Sequence, residues 1–435
     1  MLKRVFIYLS EAVLMVLLSV TFASCESKCK KSNDDENRKV VLLYSAGYNS
    51  LSTYLREDQE DLLKGYIPGD RCYDDVLLVY SHLTTKSGNY SVPATPTLTR
   101  ISKSDKGVLQ KDTLVVYPET TVSSSAKQLN TVLSYVKDNF RGRSYGMIFS
   151  SHATGYLPSG YYSNPADYEA SAWLPIKYNT PFGTLRAVPY KELDFDPSLP
   201  LTKSIGQDVQ KTAEGRVAYE IDLADFVEAI PMRLDYILFD ACLMGGVEVA
   251  YQMRDVCGKV GFSQAEVLAE GFDYQKIMQR LLVPEEPMLE KVCEDYYLQY
   301  DAKKGAYRSA TISLVDCSKM DALEKLCASL FEKYSAGLDA IDPSKVQRYY
   351  RSSYHWFYDL ESILLNAGIN EQEQEALHAA LDECMLYKAA TPSFMGDFDI
   401  EVFSGFSMFL PCDGGDRLKE FYKGLDWNKT TGLVK

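Results

Sequence analysis

The chain has 435 residues, 46% of them hydrophobic and 12% aromatic, which supplies a large core and excludes global disorder. Its formal net charge of −14 argues against nucleic acid or an anionic membrane surface and favours neutral or cationic partners. A chain of this length is expected to form about two to three domains.

In chain order, Lys3 and Arg4 open a basic start, and Ala12 to Phe22 is an apolar run too short to span a bilayer. The small pair Ala23-Ser24 then precedes Cys25, so residues 1–24 read as an export signal. Small residues directly before a Cys resemble a bacterial lipobox, with Cys25 as the lipidated residue. This implies an exported lipoprotein of a bacterial cell envelope, periplasmic or surface-exposed. The plainer alternative is a cleaved signal peptide with an incidental Cys. Residues 25–38 are charged and form a solvated tether.

Residues 39–318 read as one domain of strands alternating with helices. Lys39 to Ser45 and Asp75 to His82 are near-continuous apolar runs, the pattern of parallel strands covered on both faces. Leu51 to Lys64 reads as a helix, and Ser123 to Asn139 is amphipathic with Leu129, Val132, Leu133 and Val136 on one stripe. Lys86 to Asp112 is polar, with a short strand expected over Leu114 to Tyr117. A strand over Tyr145 to Ser150 leads to Ser151-His152-Ala153-Thr154-Gly155. Tyr156 to about Arg216 reads as a long irregular loop. A short helix (Asp222 to Ile230) and a strand (Leu234 to Phe239) follow, ending in Asp240-Ala241-Cys242-Leu243-Met244-Gly245. Further strands are expected at Lys259 to Ser263 and Thr311 to Val315. The pattern predicts a mostly parallel sheet with helices on both faces. Residues 319–435 read as mainly helical (Asp321 to Tyr334, Pro343 to Asn366, Glu371 to Tyr387) with a late strand at Gly405 to Leu410.

Ten Cys in an exported chain raise the question of disulfides, but Cys257, Cys293, Cys317, Cys327 and Cys384 lack scaffold-like spacing and read as buried thiols. There is no C-x-x-C, H-E-x-x-H or G-x-S-x-G, so a metal site or an α/β-hydrolase elbow has no support in spacing. The chemistry lies at two strand ends. A thiol between a strand and a helix N-terminus, Cys242, is placed to act as a nucleophile, and His152 to act as its acid and base. On composition alone, a buried Cys beside an incidental loop His is the simpler reading.

The surrounding residues change that balance. Phe239-Asp240-Ala241-Cys242-Leu243-Met244 with Glu248-Val249-Ala250-Tyr251, the element Tyr145 to Gly155, the opening Leu43 to Leu51, Gly271-Phe272-Asp273-Tyr274 and Gly405 to Pro411 resemble the clostripain family of cysteine peptidases, relatives of caspases, gingipains and legumains. The resemblance implies a caspase-like fold and a Cys242/His152 dyad. It places Asp240 and Glu270 in the substrate pocket, where two carboxylates would select Arg or Lys, and assigns the oxyanion N–H groups to Ala153 and Cys242. Asp240 could instead cap the helix after Cys242. Family members usually carry Gly at position 153, and Ala keeps the N–H while losing positive-φ freedom. Family members can self-process between the His and the Cys, and Arg186, Lys191, Lys203, Lys211 and Arg216 are the candidate sites. The expected partners are peptides with basic residues and the lipid anchor, with the chain as a monomer. No cofactor is expected, and no recognisable motif supports calcium. The rival reading is a surface-anchored binding lipoprotein that retains the fold without turnover. His82, His355 and His378 read as structural or surface residues.

Overall fold

The computed structural model describes residues 37–87, 90–170, 176–180, 183–189, 199–203, 208–212, 215–351 and 354–435. The signal segment, nearly all of the tether and Cys25 lie outside the described residues.

The central sheet has nine strands. They are β1 (Lys39–Ala46), β2 (Val76–His82), β3 (Thr97–Lys103), β4 (Leu109–Val116), β5 (Ser144–Ser150), β6 (Leu234–Asp240), β7 (Cys257–Phe262), β8 (Thr311–Asp316) and β9 (Met385–Ala390). Their spatial order is β9-β8-β7-β6-β5-β1-β2-β3-β4. Strands β2, β1, β5, β6 and β7 pair in parallel, and antiparallel strands extend both edges. The parallel strands are the apolar runs of the sequence: every residue of β1 is buried, as expected where helices cover both faces. Helices α1 (Ser52–Lys64), α2 (Ala126–Asn139), α3 (Leu223–Glu228), α4 (Val247–Met253) and α5 (Tyr274–Leu282) follow or flank these strands. Ser125 caps α2 by accepting from the Gln128 N–H, and Leu129, Val132, Leu133 and Val136 are buried. The chain lays β2 on one side of β1 and β5 to β7 on the other. The carboxyl ends of β1 and β5 thus flank the point where strand order reverses, the usual place for a ligand cleft.

Several elements differ from expectation. The segment read as an irregular loop contains a four-stranded antiparallel sheet at residues 176–180, 183–189, 208–212 and 215–220. Its strands are short and mixed in polarity, so they lack the apolar run that marks a buried strand. The helix expected over Pro343 to Asn366 is confined to α6 (Leu360–Ala367). Trp356, Phe357 and Tyr358 are all buried, which a one-faced surface helix cannot achieve with consecutive residues. The helix expected over Glu371 to Tyr387 stops at Cys384, giving α7 (Glu371–Cys384). The chain continues as β9, where exposure alternates with period two. The late strand shrinks to Ser407–Met408 and pairs with Tyr358–Asp359 rather than with the central sheet. Cys257, Cys293, Cys317, Cys327 and Cys384 are free and buried, whereas Cys72 is disulfide-bonded.

One buried carboxylate ties the C-terminal region to the helix after Cys242. Glu248, in the first turn of α4, accepts from the Phe409 N–H (2.9 Å) and the Tyr422 hydroxyl (2.7 Å). Burial pushes its pKa from 4.5 up to about 7, with those two hydrogen bonds pulling partly back. The native state therefore holds a proton that the unfolded chain releases. This stabilisation is complete below 4.5 and is lost as pH rises through about 7. Glu248→Gln should remove a pH-dependent component on the order of 3 kcal/mol from wild-type stability. Denaturant midpoints at pH 5 and pH 8 check this, and a wild-type midpoint equal at both pH values contradicts it.

Candidate active site

Strand register brings the two motifs together. Asp240 on β6 is the direct partner of Ser150 on β5, so Cys242 and His152, each two residues further on, leave adjacent strands at the same level. The loops touch. Gly155 has φ +60, and a Cβ on it would lie 2.4 Å from the Leu243 carbonyl oxygen, so only glycine permits this approach. Leu243 itself has φ +60, a strained state costing on the order of 1–3 kcal/mol. Its N–H is held by the Ala265 carbonyl at 3.0 Å.

Residues 201–203 lie against residues 267–269 as a short antiparallel strand. Lys203 N–H donates to the Val267 carbonyl (2.7 Å) and Ala269 N–H to the Leu201 carbonyl (2.8 Å), with Thr202 bridged to Leu268. This is strand addition, the way an extended peptide is held by main-chain bonds. Val267 also meets the thiol: its N–H donates to Cys242 Sγ at 2.9 Å. On the other motif, His152 Nδ1 lies 2.9 Å from the Lys203 carbonyl oxygen. A carbonyl can only accept, so Nδ1 carries the proton. Burial pushes His152 down to about 3, with the Lys203 carbonyl pulling partly back, so the ring is neutral at ordinary pH. The imidazole thus meets Lys203 directly, and the thiol meets Val267, whose carbonyl holds the Lys203 N–H.

The Lys203 side chain is fully buried. Its Nζ donates to Asp240 Oδ2, to Asp58 Oδ2 at 3.0 Å and to Ser150 Oγ at 3.2 Å. Asp240 Oδ2 also accepts from Ser150 Oγ (2.9 Å) and the Tyr274 hydroxyl (2.7 Å). Burial alone would push the ammonium down, but Asp240 and Asp58 outweigh it and hold the Lys203 pKa up. Burial drives Asp58 in the opposite sense for a carboxylate, upward, while Lys203 pulls it back and Asp240 adds to the rise. Next along the strand, the Thr202 hydroxyl donates to Glu266 Oε1 (2.9 Å), and Glu266 is held by Arg351 at 2.5 Å. A cavity beside His152 is lined by Ala153, Ser124, Phe149, Phe226 and Met244.

Asp240 faces the Lys203 ammonium. Glu270 does not: it is half exposed and paired with Lys303. Gly271, at φ +62, turns the chain just after it, and the Gly271 backbone itself closes the pocket. The second carboxylate is Asp58 from α1, which the sequence reading missed. A signal existed, because Asp58 sits on the buried face of α1 with Ser52, Leu55 and Leu62, an acid in an apolar stripe. Of the candidate cut positions, Lys203 occupies the cleft. Arg186, Lys211 and Arg216 lie in paired strands, and Lys191 lies outside the described residues. His82 is buried at the end of β2 against Ser123 Oγ (2.5 Å). His355 is in coil beside Arg348, and His378 on α7 contacts Glu361.

The model of the clostripain family, peptidase family C11, matches residues 194–431. The chain belongs to the clostripain family of cysteine peptidases. The match includes Lys203, Asp240 and Cys242, whereas His152 and Asp58 precede it. Clostripain of Hathewaya histolytica is 26% identical over 272 residues, 58% of this chain but 44% of that protein, so the chain spans under half of that relative's length. An inactive zymogen C11 protease from Parabacteroides distasonis superposes with TM-score 0.70 at 23% identity, covering 93% of this chain and 99% of that one. A secreted C11 cysteine protease from Bacteroides thetaiotaomicron gives TM-score 0.67 at 20% identity over 91% and 99% of the two chains. The fold is that of C11 caspase-like proteases.

Replacing Lys203 by Met keeps the bulk and removes the charge, leaving two buried carboxylates uncompensated. The clostripain-family chain should then lose about 3 kcal/mol of stability at pH 8. The loss should shrink at pH 5, well below the value of about 8 at which buried Asp58 takes up a proton. Chemical denaturation at the two pH values measures this, and an unchanged midpoint at pH 8 contradicts the ion cluster.

Proposed function

We propose that this protein is an exported cysteine endopeptidase that hydrolyses peptide bonds after Arg or Lys, with Cys242 as nucleophile and His152 as general acid and base. The observation that carries the reading is the seat taken by Lys203. A basic side chain fills a pocket floored by Asp240, and its main chain is held as an added strand. Its carbonyl accepts a hydrogen bond from His152, next to the residue that contacts the Cys242 sulfur. This is how a substrate with a basic residue before the scissile bond would sit. His152 Nε2 takes the thiol proton as Cys242 Sγ attacks the carbonyl carbon, the N–H groups of Cys242 and Ala153 receive the oxyanion, and His152 passes that proton to the departing amine as the C–N bond breaks. Water, deprotonated by His152, then releases the acyl group and regenerates the thiol.

Lys203 is then an internal substrate, and the Lys203–Ser204 bond is where the chain would cut itself. Until that happens, the seated lysine blocks the pocket. Among the described residues no three His, Cys, Asp or Glu side chains are grouped to hold a metal ion. Export is supported by the apolar run before Cys25 and by the disulfide at Cys72, a bond rare in reducing compartments. Cys25 is the proposed lipid attachment point. No helix among the described residues is long and apolar enough to cross a membrane.

A peptide-library assay on the chain lacking residues 1–24 tests the activity. Cleavage should follow Arg or Lys, self-cutting should map to Lys203, and Cys242→Ala should abolish both. Equal inertness of wild type and variant would leave a binding lipoprotein as the better account. Separately, an alkyne analogue of palmitate should label the full-length chain in cells but not Cys25→Ser, and equal labelling contradicts the anchor.

A further inference from the structure

We propose that the pocket selects lysine over arginine, and that Asp58 of α1 is the residue that sets this preference. The inference rests on the reading of Lys203 as an occupant in substrate register.

An ammonium has three donors and no acceptor. Here the three are matched one to one by Asp240 Oδ2, Asp58 Oδ2 and Ser150 Oγ. The depth at which these acceptors sit is fixed by the main chain. The bonds of Lys203 N–H to Val267 and of Ala269 N–H to Leu201 set where the α-carbon lies relative to the floor. Beyond the ammonium there is backbone rather than space. A Cβ on Gly271 would come within 2.7 Å of Lys203 Nζ and 2.5 Å of both Asp240 carboxylate oxygens. That stretch of backbone is itself held, because Gly271 N–H donates to the Leu268 carbonyl (2.9 Å) and its carbonyl accepts from the Tyr300 hydroxyl (2.7 Å).

A guanidinium reaches one atom further than an ammonium and spreads five donors across a rigid plane. Its preferred partner is a carboxylate that presents both oxygens to that plane. Asp240 does not do so: Oδ2 already takes Ser150, Tyr274 and Lys203, and Oδ1 has no hydrogen-bond partner among the described residues, with both oxygens crowded against Gly271. Asp58 approaches the ammonium with one oxygen, from a helix that lies outside the matched family span. It therefore completes a compact three-point cup instead of a planar fork. Glu270, which the family pattern would place here, is turned outward to Lys303.

Two measurements decide the matter, the first on the chain after it has cut itself at Lys203 and so cleared the pocket, the second on the uncut chain. The first compares kcat/KM for a peptide pair copied from this chain, Pro-Leu-Thr-Lys and Pro-Leu-Thr-Arg, each with a fluorogenic leaving group. Wild type should favour lysine by about tenfold or more. Asp58→Asn, which keeps the shape and one acceptor, should bring the two peptides to within about threefold, chiefly by losing lysine turnover. Arginine cleaved as well as or better than lysine, or a ratio unmoved by Asp58→Asn, overturns the proposal while leaving the peptidase reading intact. The second needs no turnover. In a Cys242→Ala background, Lys203→Arg should lower the melting temperature by several degrees, and an unchanged or higher value overturns the proposal. If neither peptide is cut by wild type, the peptidase reading fails and the melting comparison still decides which side chain the pocket fits.

Discussion

The buried ion cluster of Lys203 with Asp240 and Asp58 organises the active-site end of this molecule. It joins α1, the ends of β5 and β6, the segment before Ser204 and the turn at Gly271. Buried ion clusters are poor sources of net stability, because desolvation offsets most of the Coulomb attraction. Two buried carboxylates facing one fully buried ammonium therefore fit the proposed recognition site holding its ligand better than a stabilising device. The added-strand pairing of residues 201–203 points the same way, because it fixes main-chain register as well as charge.

What surrounds the cluster follows from ordinary sheet geometry. Parallel pairing of β5 with β6 in register places Ser150 beside Asp240, and the residues two further on beside one another. The close contact of Gly155 with the Leu243 carbonyl and the strained φ of Leu243 are local costs of turning both loops over the sheet edge. The surrounding apolar core outweighs them. The C-terminal region is tied to the same edge, since Ser407 N–H donates to the Gly245 carbonyl and Phe409 N–H to Glu248. The helix after Cys242 is thus braced from both sides.

The parallel strands and both strand-end motifs were legible in the sequence because a strand buried on both faces writes a continuous apolar run, and a chemical residue just past it stands out. The four-stranded sheet within residues 176–220 was not, since its mixed-polarity strands carry no such run, and the edge strand β9 was not, since its half-exposed residues follow directly on a helix and read as its continuation. Trp356 to Tyr358 misled because an aromatic cluster near helical residues reads as helix until consecutive burial is seen. At the site, Asp240 and Glu270 were both carried over by position, and only Asp240 faces the Lys203 ammonium, because the turn at Gly271 sends Glu270 elsewhere. Asp58 was missed because its role depends on α1 folding across the sheet from far away in sequence. Lys203 could not be singled out from the other basic residues of its segment, since only tertiary placement decides which one meets the pocket.

The central claim is that Lys203 occupies the pocket as a substrate would. A crystal structure of the full chain carrying Cys242→Ala tests it most directly. The account predicts the Lys203 ammonium within hydrogen-bonding distance of Asp240, Asp58 and Ser150, with its carbonyl beside His152 and the alanine at position 242. Lys203 found in solvent, with Asp240 and Asp58 satisfied by other groups, would contradict it.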